Sequence, residues 1–233
     1  MSVSMSKPEP HKKRVVPGFT VQAFQKNTIT ASPNPDEFQK HRGKSISRFR
    51  KLYDQSCLPI RLGHEFSGHS VVWYTPLADV DYDHLLPLFA DGLIETQHPY
   101  KFLAQQGLSE LLDHATNDQV ASALPYMIPP LRVALNSGNP DTVVATIRVL
   151  QRLAKEFRGV GEDLIPYYRQ LLNPLRSVAI SKLEQKSASQ GRQLNLEPMV
   201  LEVLKDLERH GGPNAFINIK YMIPTYESCL GNY

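Results

Sequence analysis

Apolar residues recur at helical spacing along most of this chain from about Asp79 onward. The clearest stripe follows Asn139-Pro140-Asp141, which is a helix start signal. Similar stripes run from Pro99 to His114 and from Glu197 to His210, and Gly211 is expected to follow the second of these as a left-handed helix cap. In the stripe that follows Asn139-Pro140-Asp141 the apolar positions are Val143, Val144, Ile147, Leu150, Leu153 and Ala154. This periodicity is typical of amphipathic helices that bury one face, so the pattern predicts a mainly α-helical protein.

A proline motif recurs in the helical region. It reads Leu86-Pro87-Leu88-Phe89, then Leu124-Pro125-Tyr126-Met127, then Ile165-Pro166-Tyr167-Tyr168, with prolines 38 and 41 residues apart. A period near 40 residues is typical of helical pairs of the HEAT or armadillo kind, in which each pair covers the apolar face of the next. We therefore predict an all-α, HEAT/armadillo-like repeat domain, with Tyr126 and Tyr167 in its core.

Shorter elements are expected before and within this domain, which we place at residues 45–233. Ser45 to Gln55 predicts a short helix with Ile46, Phe49, Leu52 and Tyr53 on one side. The segment at about 58–77 predicts a small β-hairpin, because Val71, Val72, Trp73 and Tyr74 favour extended backbone and Ser67-Gly68 supplies a turn. The polar stretch at about 181–195 predicts a flexible loop.

Residues 1–44 differ in composition and predict an extended, proline-containing arm. Residues 1–55 hold 11 Lys and Arg against 4 Asp and Glu, whereas residues 56–233 hold 15 against 19. The positive charge of the chain therefore belongs to its N-terminal part. Such a segment is either a solvated tail or an arm for an acidic surface such as nucleic acid, anionic lipid or tubulin. Its basic clusters are Lys12, Lys13 and Arg14, then Lys40, Arg42, Lys44, Arg48, Arg50 and Lys51.

The C-terminal segment is unusually apolar. Gly211 to Cys229 carries only two charges, Lys220 and Glu227. Chain ends are usually frayed and polar unless something holds them, so we expect this one to dock on the core or on a partner. Candidate partner-binding residues are Trp73, His114, Tyr221 and Tyr226.

Signals for catalysis are weak throughout, so we predict no enzyme, no catalytic residue, no cofactor and no metal. His64, Glu65 and His69 lack the third histidine or cysteine pair of a metal site. Asp79, Asp81 and Asp83 lack the glycine and glutamate of a calcium loop and should instead cap the following helix. The chain has neither a membrane-spanning apolar run nor a secretory signal at its start, and we expect a cytosolic protein with Cys57 and Cys229 reduced.

Several separate blocks resemble one known family. The ending GGPNAFINIKYMIPTYESC closely resembles the ending of the Parkin co-regulated gene protein family. Gly18-Phe19-Thr20-Val21, Asp81 to Leu93 and Leu164 to Gln170 are similar to further family blocks in the same order. The similarity spans about Gly18 to Cys229, and the chain departs from the family in residues 1–17 and 181–195.

The resemblance implies a structural protein of the ciliary and flagellar axoneme, a HEAT/armadillo-like component inside doublet microtubules. Family members lie at the inner junction, where the B-tubule closes onto the A-tubule, and they contact α/β-tubulin and a small partner protein. The arm is then implied to thread over or between protofilaments, and its basic clusters become tubulin-binding candidates.

Two other interpretations stay open at this point. The protein could be a cytosolic adaptor that binds a protein partner along the same helical scaffold. Nucleic-acid binding through the arm is disfavoured, because the sequence lacks the interleaved aromatic and basic residues of a stacking groove. We expect neither a nucleic-acid nor a membrane partner.

Overall fold

The computed structural model describes residues 14–17, 24–25, 28–31, 46–65, 68–180 and 196–231. The chain divides into two compact units, Met1–Ser45 and Ile46–Tyr233. In the first unit, strand β1 (Arg14–Pro17) pairs in parallel with strand β2 (Thr28–Ala31). The sequence pattern did not predict this pair.

The second unit begins with a short helix and a hairpin. Helix α1 spans Arg48–Asp54, strand β3 spans Ile60–Glu65 and strand β4 spans Gly68–Trp73. The two strands are antiparallel, with Ile60 opposite Trp73 and Leu62 opposite Val71. The predicted helix and hairpin are therefore confirmed. Ser67 of the predicted turn lies outside the described residues.

The remainder of the described chain is helical, which confirms the all-α class. The helices are α2 (Tyr82–Gly92), α3 (Tyr100–His114), α4 (Asn117–Leu135), α5 (Pro140–Glu156), α6 (Val160–Asp163), α7 (Tyr168–Ile180), α8 (Leu196–His210) and α9 (Ala215–Met222), with single 3-10 turns at Leu77–Asp79 and Ile165–Tyr167. Start signals in the sequence act as predicted: the Asp81 side chain accepts from the His84 N–H, and Asn139 caps α5 ahead of Pro140.

The helices pack in two layers. In one layer α4 contacts α2 on one side and α7 on the other, and α7 in turn contacts α9. In the other layer α5 contacts α8, while α3 is joined to α5 by ion pairs from Lys101 to Asp141 and from Arg152 to Asp113. The recurring prolines all belong to the first layer, since Pro87 lies in α2, Pro125 in α4 and Pro166 directly before α7. That these helices are copies of one repeat stays a prediction.

Burial shows which position of the proline motif faces the core. The second residue after each proline is buried, namely Phe89, Met127 and Tyr168. The first residue after it is not always buried, and Tyr126 is 67% exposed. The prediction that Tyr126 is a core residue was therefore wrong, because the helical phase of α4 turns it outward. Tyr167 is half-buried against the core, as predicted.

Two smaller predictions also need correction. Ile46 was expected on the inner side of the first helix, but it precedes that helix and is 51% exposed. Gly211 was expected to adopt the left-handed conformation after α8. Gly212 adopts it instead, with φ of 70°.

Candidate partner-binding surfaces

Helix α1 carries three basic residues: the side chains of two are exposed, and the third forms contacts within the protein. Arg48 and Lys51 are exposed, and so is Arg14 in the first unit. The remaining predicted tubulin-binding residues lie outside the described part of the chain; they are Lys12, Lys13, Lys40, Arg42 and Lys44.

The Arg50 side chain forms several contacts within the protein. Its Nη1 donates to Gln97 Oε1 at 3.0 Å and lies 3.7 Å from Glu95 Oε2. Its guanidinium also stacks over the Tyr100 ring, 4.3 Å from the centroid. Because Glu95, Gln97 and Tyr100 lie more than 40 residues along the chain, the local charge pattern could not reveal this role. Arg50 therefore has a structural role, and its assignment as a tubulin-binding residue stays a prediction.

The N-terminus of α1 is held against the end of α2 and the residues that follow it. The Arg48 N–H donates to Asp91 Oδ2 at 2.6 Å, and the Ser47 hydroxyl donates to Glu95 Oε1 at 2.6 Å. Both carboxylates therefore meet the positive end of the helix. As a result, the exposed side chains of Arg48 and Lys51 project from an anchored element.

Trp73 and Tyr226 point inward, unlike the other two predicted partner residues. Trp73 stacks on Phe89 with centroids 5.6 Å apart, and its Nε1 donates to Glu110 Oε2 at 2.7 Å. Tyr226 is only 3% exposed, so in this conformation it cannot be a direct partner contact, which corrects that prediction. His114 is exposed and Tyr221 is 84% exposed, and partner binding by these two and by Trp73 stays a prediction.

Tyr226 belongs to a set of contacts that we call the Glu208 cluster: Glu208, Tyr226, Ser228 and the backbone N–H of Cys229. Tyr226 Oη donates to Glu208 Oε2 at 2.7 Å, the Cys229 N–H donates to the same oxygen at 2.8 Å, and Ser228 Oγ donates to Oε1. The Glu208 side chain is buried, with the residue 1% exposed. The predicted docking of the apolar C-terminus is thus confirmed, and it docks on the protein's own core through Ala215, Ile219 and Ile223 as well.

The contacts within the Glu208 cluster shift the pKa values of Glu208 and Tyr226. Burial opposes the charged form of Glu208, but the bonds from Cys229, Ser228 and Tyr226 outweigh it and hold the pKa of Glu208 below its ordinary value. Burial and the bond to Glu208 raise the pKa of Tyr226. The carboxylate therefore stays ionised and the phenol stays neutral.

An open groove of about 830 Å³ lies along α2 and α4, and the sequence pattern did not predict it. Its walls include the exposed side chains of Tyr126 and Val133 and three prolines of α4. Its acidic residues are Asp81, Asp83 and Asp91, and its basic ones are Arg48 and His84. The helical phase of α4 is the signal that could have found it, because every buried residue of α4 lies on the opposite face.

Three histidines meet beside the hairpin. His64 Nδ1 and His69 Nδ1 are 3.2 Å apart, and the His69 and His98 rings are 4.7 Å apart between centroids. Within the described ranges, no group of three or more His, Cys, Asp or Glu side chains has the arrangement of a metal site. Cys57 and Cys229 are both free thiols.

The described helices include none that is both long and apolar enough to cross a bilayer. The described part of the second unit is thus a layered helical domain with an open groove whose walls are both apolar and charged.

Comparison with known sequences identifies the family. Residues 47–228 match the Parkin co-regulated protein family. The chain is also 40% identical over 218 residues to the mouse protein named Parkin coregulated gene protein homolog, covering 92% of this chain and 90% of the relative. The chain belongs to the Parkin co-regulated protein family.

Proposed function

We propose that this protein is a structural microtubule inner protein of the ciliary or flagellar axoneme. In this role it bridges the A- and B-tubules at the inner junction of doublet microtubules and binds α/β-tubulin and a small junction partner. It has no catalytic activity and works in the cytoplasm as part of the cytoskeleton of motile cilia. The observation that carries the proposal is family membership across residues 47–228, combined with the axonemal role that the resemblance implies.

Charge placement is consistent with this proposal. Tubulin presents a strongly acidic surface, and the positive charge of the chain is concentrated in its first 55 residues. Arg14, Arg48 and Lys51 are exposed there, and Arg48 and Lys51 lie on a helix whose start is held by Asp91 and Glu95. Like-signed exposed side chains on an anchored element favour association with an oppositely charged surface.

The first test is extraction of isolated cilia with detergent and then with high salt, followed by detection of the protein in the residue. We expect retention with the extracted doublets. Release into the detergent-soluble fraction would contradict a lattice-embedded position and favour the adaptor alternative.

Substitutions then test the basic clusters. We expect the double variant Arg48→Gln/Lys51→Gln to be incorporated into axonemes less than the wild type, because two exposed cations are lost. Neutralising Lys12, Lys13, Arg14, Lys40, Arg42 and Lys44 as well should reduce incorporation further, with Arg50 kept for its structural role. The matched control is Arg148→Gln/Arg158→Gln, which removes two exposed cations elsewhere. Equal losses in both double variants would refute the assignment.

The groove along α2 and α4 favours the adaptor alternative. Its exposed Tyr126 and Val133 offer apolar contact, and Asp81 and Asp83 would attract a partner segment with basic residues beside apolar ones. Tyr126→Ser should abolish capture of such a partner while leaving axonemal retention intact if the adaptor role is separate. Loss of retention in this variant would instead assign the groove to the axonemal role.

A further inference from the structure

A second cleft, of about 350 Å³, lies between the end of α4 and the first half of α7. We call it the arginine cleft; it is lined by Arg132, Asn136, Arg169, Gln170, Asn173 and Pro174. Its lining combines two guanidinium groups with three carboxamides and includes no carboxylate. This composition is the opposite of the α2–α4 groove, which carries three aspartates.

Both arginines are available to a ligand. Arg132 and Arg169 are exposed, and within the described ranges neither forms an ion pair with a carboxylate. Arg50 and Arg152, by contrast, are each held by acidic side chains. The exposed Arg176 lies two turns beyond Arg169 on α7. Helix packing has therefore gathered positive charge within a part of the chain, residues 56–233, that has more acidic than basic residues.

The three carboxamide side chains indicate which kind of anionic ligand fits the cleft. A guanidinium fork matches the two oxygens of a carboxylate, but it matches phosphate equally well. A side-chain amide both donates and accepts, as a peptide backbone does, whereas a free phosphate at neutral pH mainly accepts. Asn136 Nδ2 already donates to the Arg132 carbonyl oxygen at 2.8 Å, and its Oδ1 is the acceptor of the same amide. A cleft that offers acceptors beside its cations fits an extended acidic peptide better than a compact anion.

We propose that the arginine cleft binds an extended, glutamate-rich segment of a partner protein. Arg132 and Arg169 each pair with a glutamate carboxylate, and Gln170 and Asn173 bond to the peptide backbone between them. This site is separate from the N-terminal basic clusters, so the inference goes beyond the proposed function and does not depend on it.

The test is direct binding of a capped, fluorescently labelled glutamate-rich peptide to the full-length protein, followed by fluorescence anisotropy. We expect Arg132→Gln and Arg169→Gln each to raise Kd about ten-fold or more, the effect of losing one charge-assisted hydrogen bond. Asn173→Ala should raise Kd about two- to ten-fold, as expected for a neutral hydrogen bond. Because these side chains are exposed, thermal unfolding should match that of the wild type.

The controls distinguish binding in the arginine cleft from a nonspecific effect of positive charge on the protein surface. Arg148→Gln removes an exposed arginine from α5 and should leave Kd unchanged; an equal loss would overturn the proposal. The same peptide with glutamine in place of glutamate should not bind, and if it binds equally well the carboxylate pairing is wrong. If inorganic phosphate binds through the two arginines while the peptide does not, the cleft is a phosphate site and the proposal fails. No tubulin is present in this assay, so its outcome is independent of the axonemal test.

Discussion

Glu208 is a buried carboxylate that receives three hydrogen bonds from residues 18 to 21 positions further along the chain. An uncompensated charge at such a depth would be strongly destabilising, whereas a carboxylate with three donors is well solvated by the protein itself. The Glu208 cluster thus fixes the C-terminal segment to α8. It explains how an end of the chain with so few charges is held in place.

Removing one donor from this cluster should have a measurable cost. We expect Tyr226→Phe to lower the free energy of unfolding by about 1.5–3 kcal/mol, because an ionised group loses a hydrogen bond in a buried site. The control is Tyr221→Phe in the same segment, where the side chain is 84% exposed and the change should stay within about 0.5 kcal/mol. Urea unfolding measures both. Equal effects from the two variants would contradict this role of Tyr226.

The ionisation of Glu208 predicts a dependence on pH. Its pKa is lower in the folded protein than the ordinary value of 4.5, so on acidification the unfolded chain takes up the proton first. The stability it confers is therefore present above about pH 4.5 and is lost as the pH falls through the folded-state pKa. We expect the gap between the wild type and Glu208→Gln to be widest near neutrality and to narrow in acid. Urea unfolding over a pH series tests this, and a gap independent of pH would contradict it.

At the scale of helices, α2 and α3 approach closely because Gly107 has no side chain. A Cβ at Gly107 would overlap the Phe89 ring, whose other neighbours are Phe49 at 5.0 Å and Trp73 at 5.6 Å between centroids. The ring is fully buried and cannot turn away. This contact therefore links α1, the hairpin, α2 and α3 in one packed cluster.

We expect Gly107→Ala to destabilise the protein by about 1–3 kcal/mol through overpacking, despite a helix-propensity gain of up to about 1 kcal/mol. Phe89→Leu in the same chain should relieve the overlap, so the double variant should lose less stability than the sum of the two single variants. Thermal and urea unfolding of the four proteins measure this coupling. Additive losses, or a stabilising Gly107→Ala, would contradict the steric account.

Helices and their starts were predictable because their signals are local. Asp81 and Asn139 cap the helices that follow them. The stripe from Val143 to Ala154 is buried as its spacing predicts, except for Val144, which is half-buried. The prediction for Tyr126 was wrong because it relied on the recurring motif and did not consider which face of α4 this position occupies. The helical phase of α4 alone places Met127 inside and Tyr126 in the groove.

The candidate sites were less predictable, because they depend on contacts between distant residues. Local charge placed Arg50 with Arg48 and Lys51, but Glu95 and Tyr100 hold it in the folded chain. The arginine cleft requires α4 and α7 to be neighbours, and nothing near Arg132 in the sequence shows that Arg169 lies beside it. The apolar C-terminus was correctly expected to dock, but its anchor, Glu208, lies in the preceding helix and resembled an ordinary surface glutamate.

At the scale of the whole molecule, basic and acidic residues are distributed unequally. The first 55 residues carry the excess of Lys and Arg, while residues 56–233 hold more Asp and Glu. Under the proposed function, attraction to an acidic lattice therefore belongs to the N-terminal part, and the helical domain must rely on shape and apolar contact. Salt distinguishes these contributions, because it screens exposed charges much more than apolar contacts.

Pelleting with microtubules at increasing ionic strength tests this division. We expect the full-length protein to bind most tightly near 0.01 M salt and to lose affinity towards about 0.15 M, as the screening length falls from about 30 Å to about 8 Å. A variant with glutamine at Lys12, Lys13, Lys40, Arg42 and Lys44 should bind more weakly at low salt and approach the wild type at high salt, because only the screened part of its affinity has been removed. A control with glutamine at Arg148 and Arg158 should follow the wild-type curve. If the arm variant matches the wild type at low salt, or if the control loses as much affinity, the positive charge of the arm is not what binds the lattice.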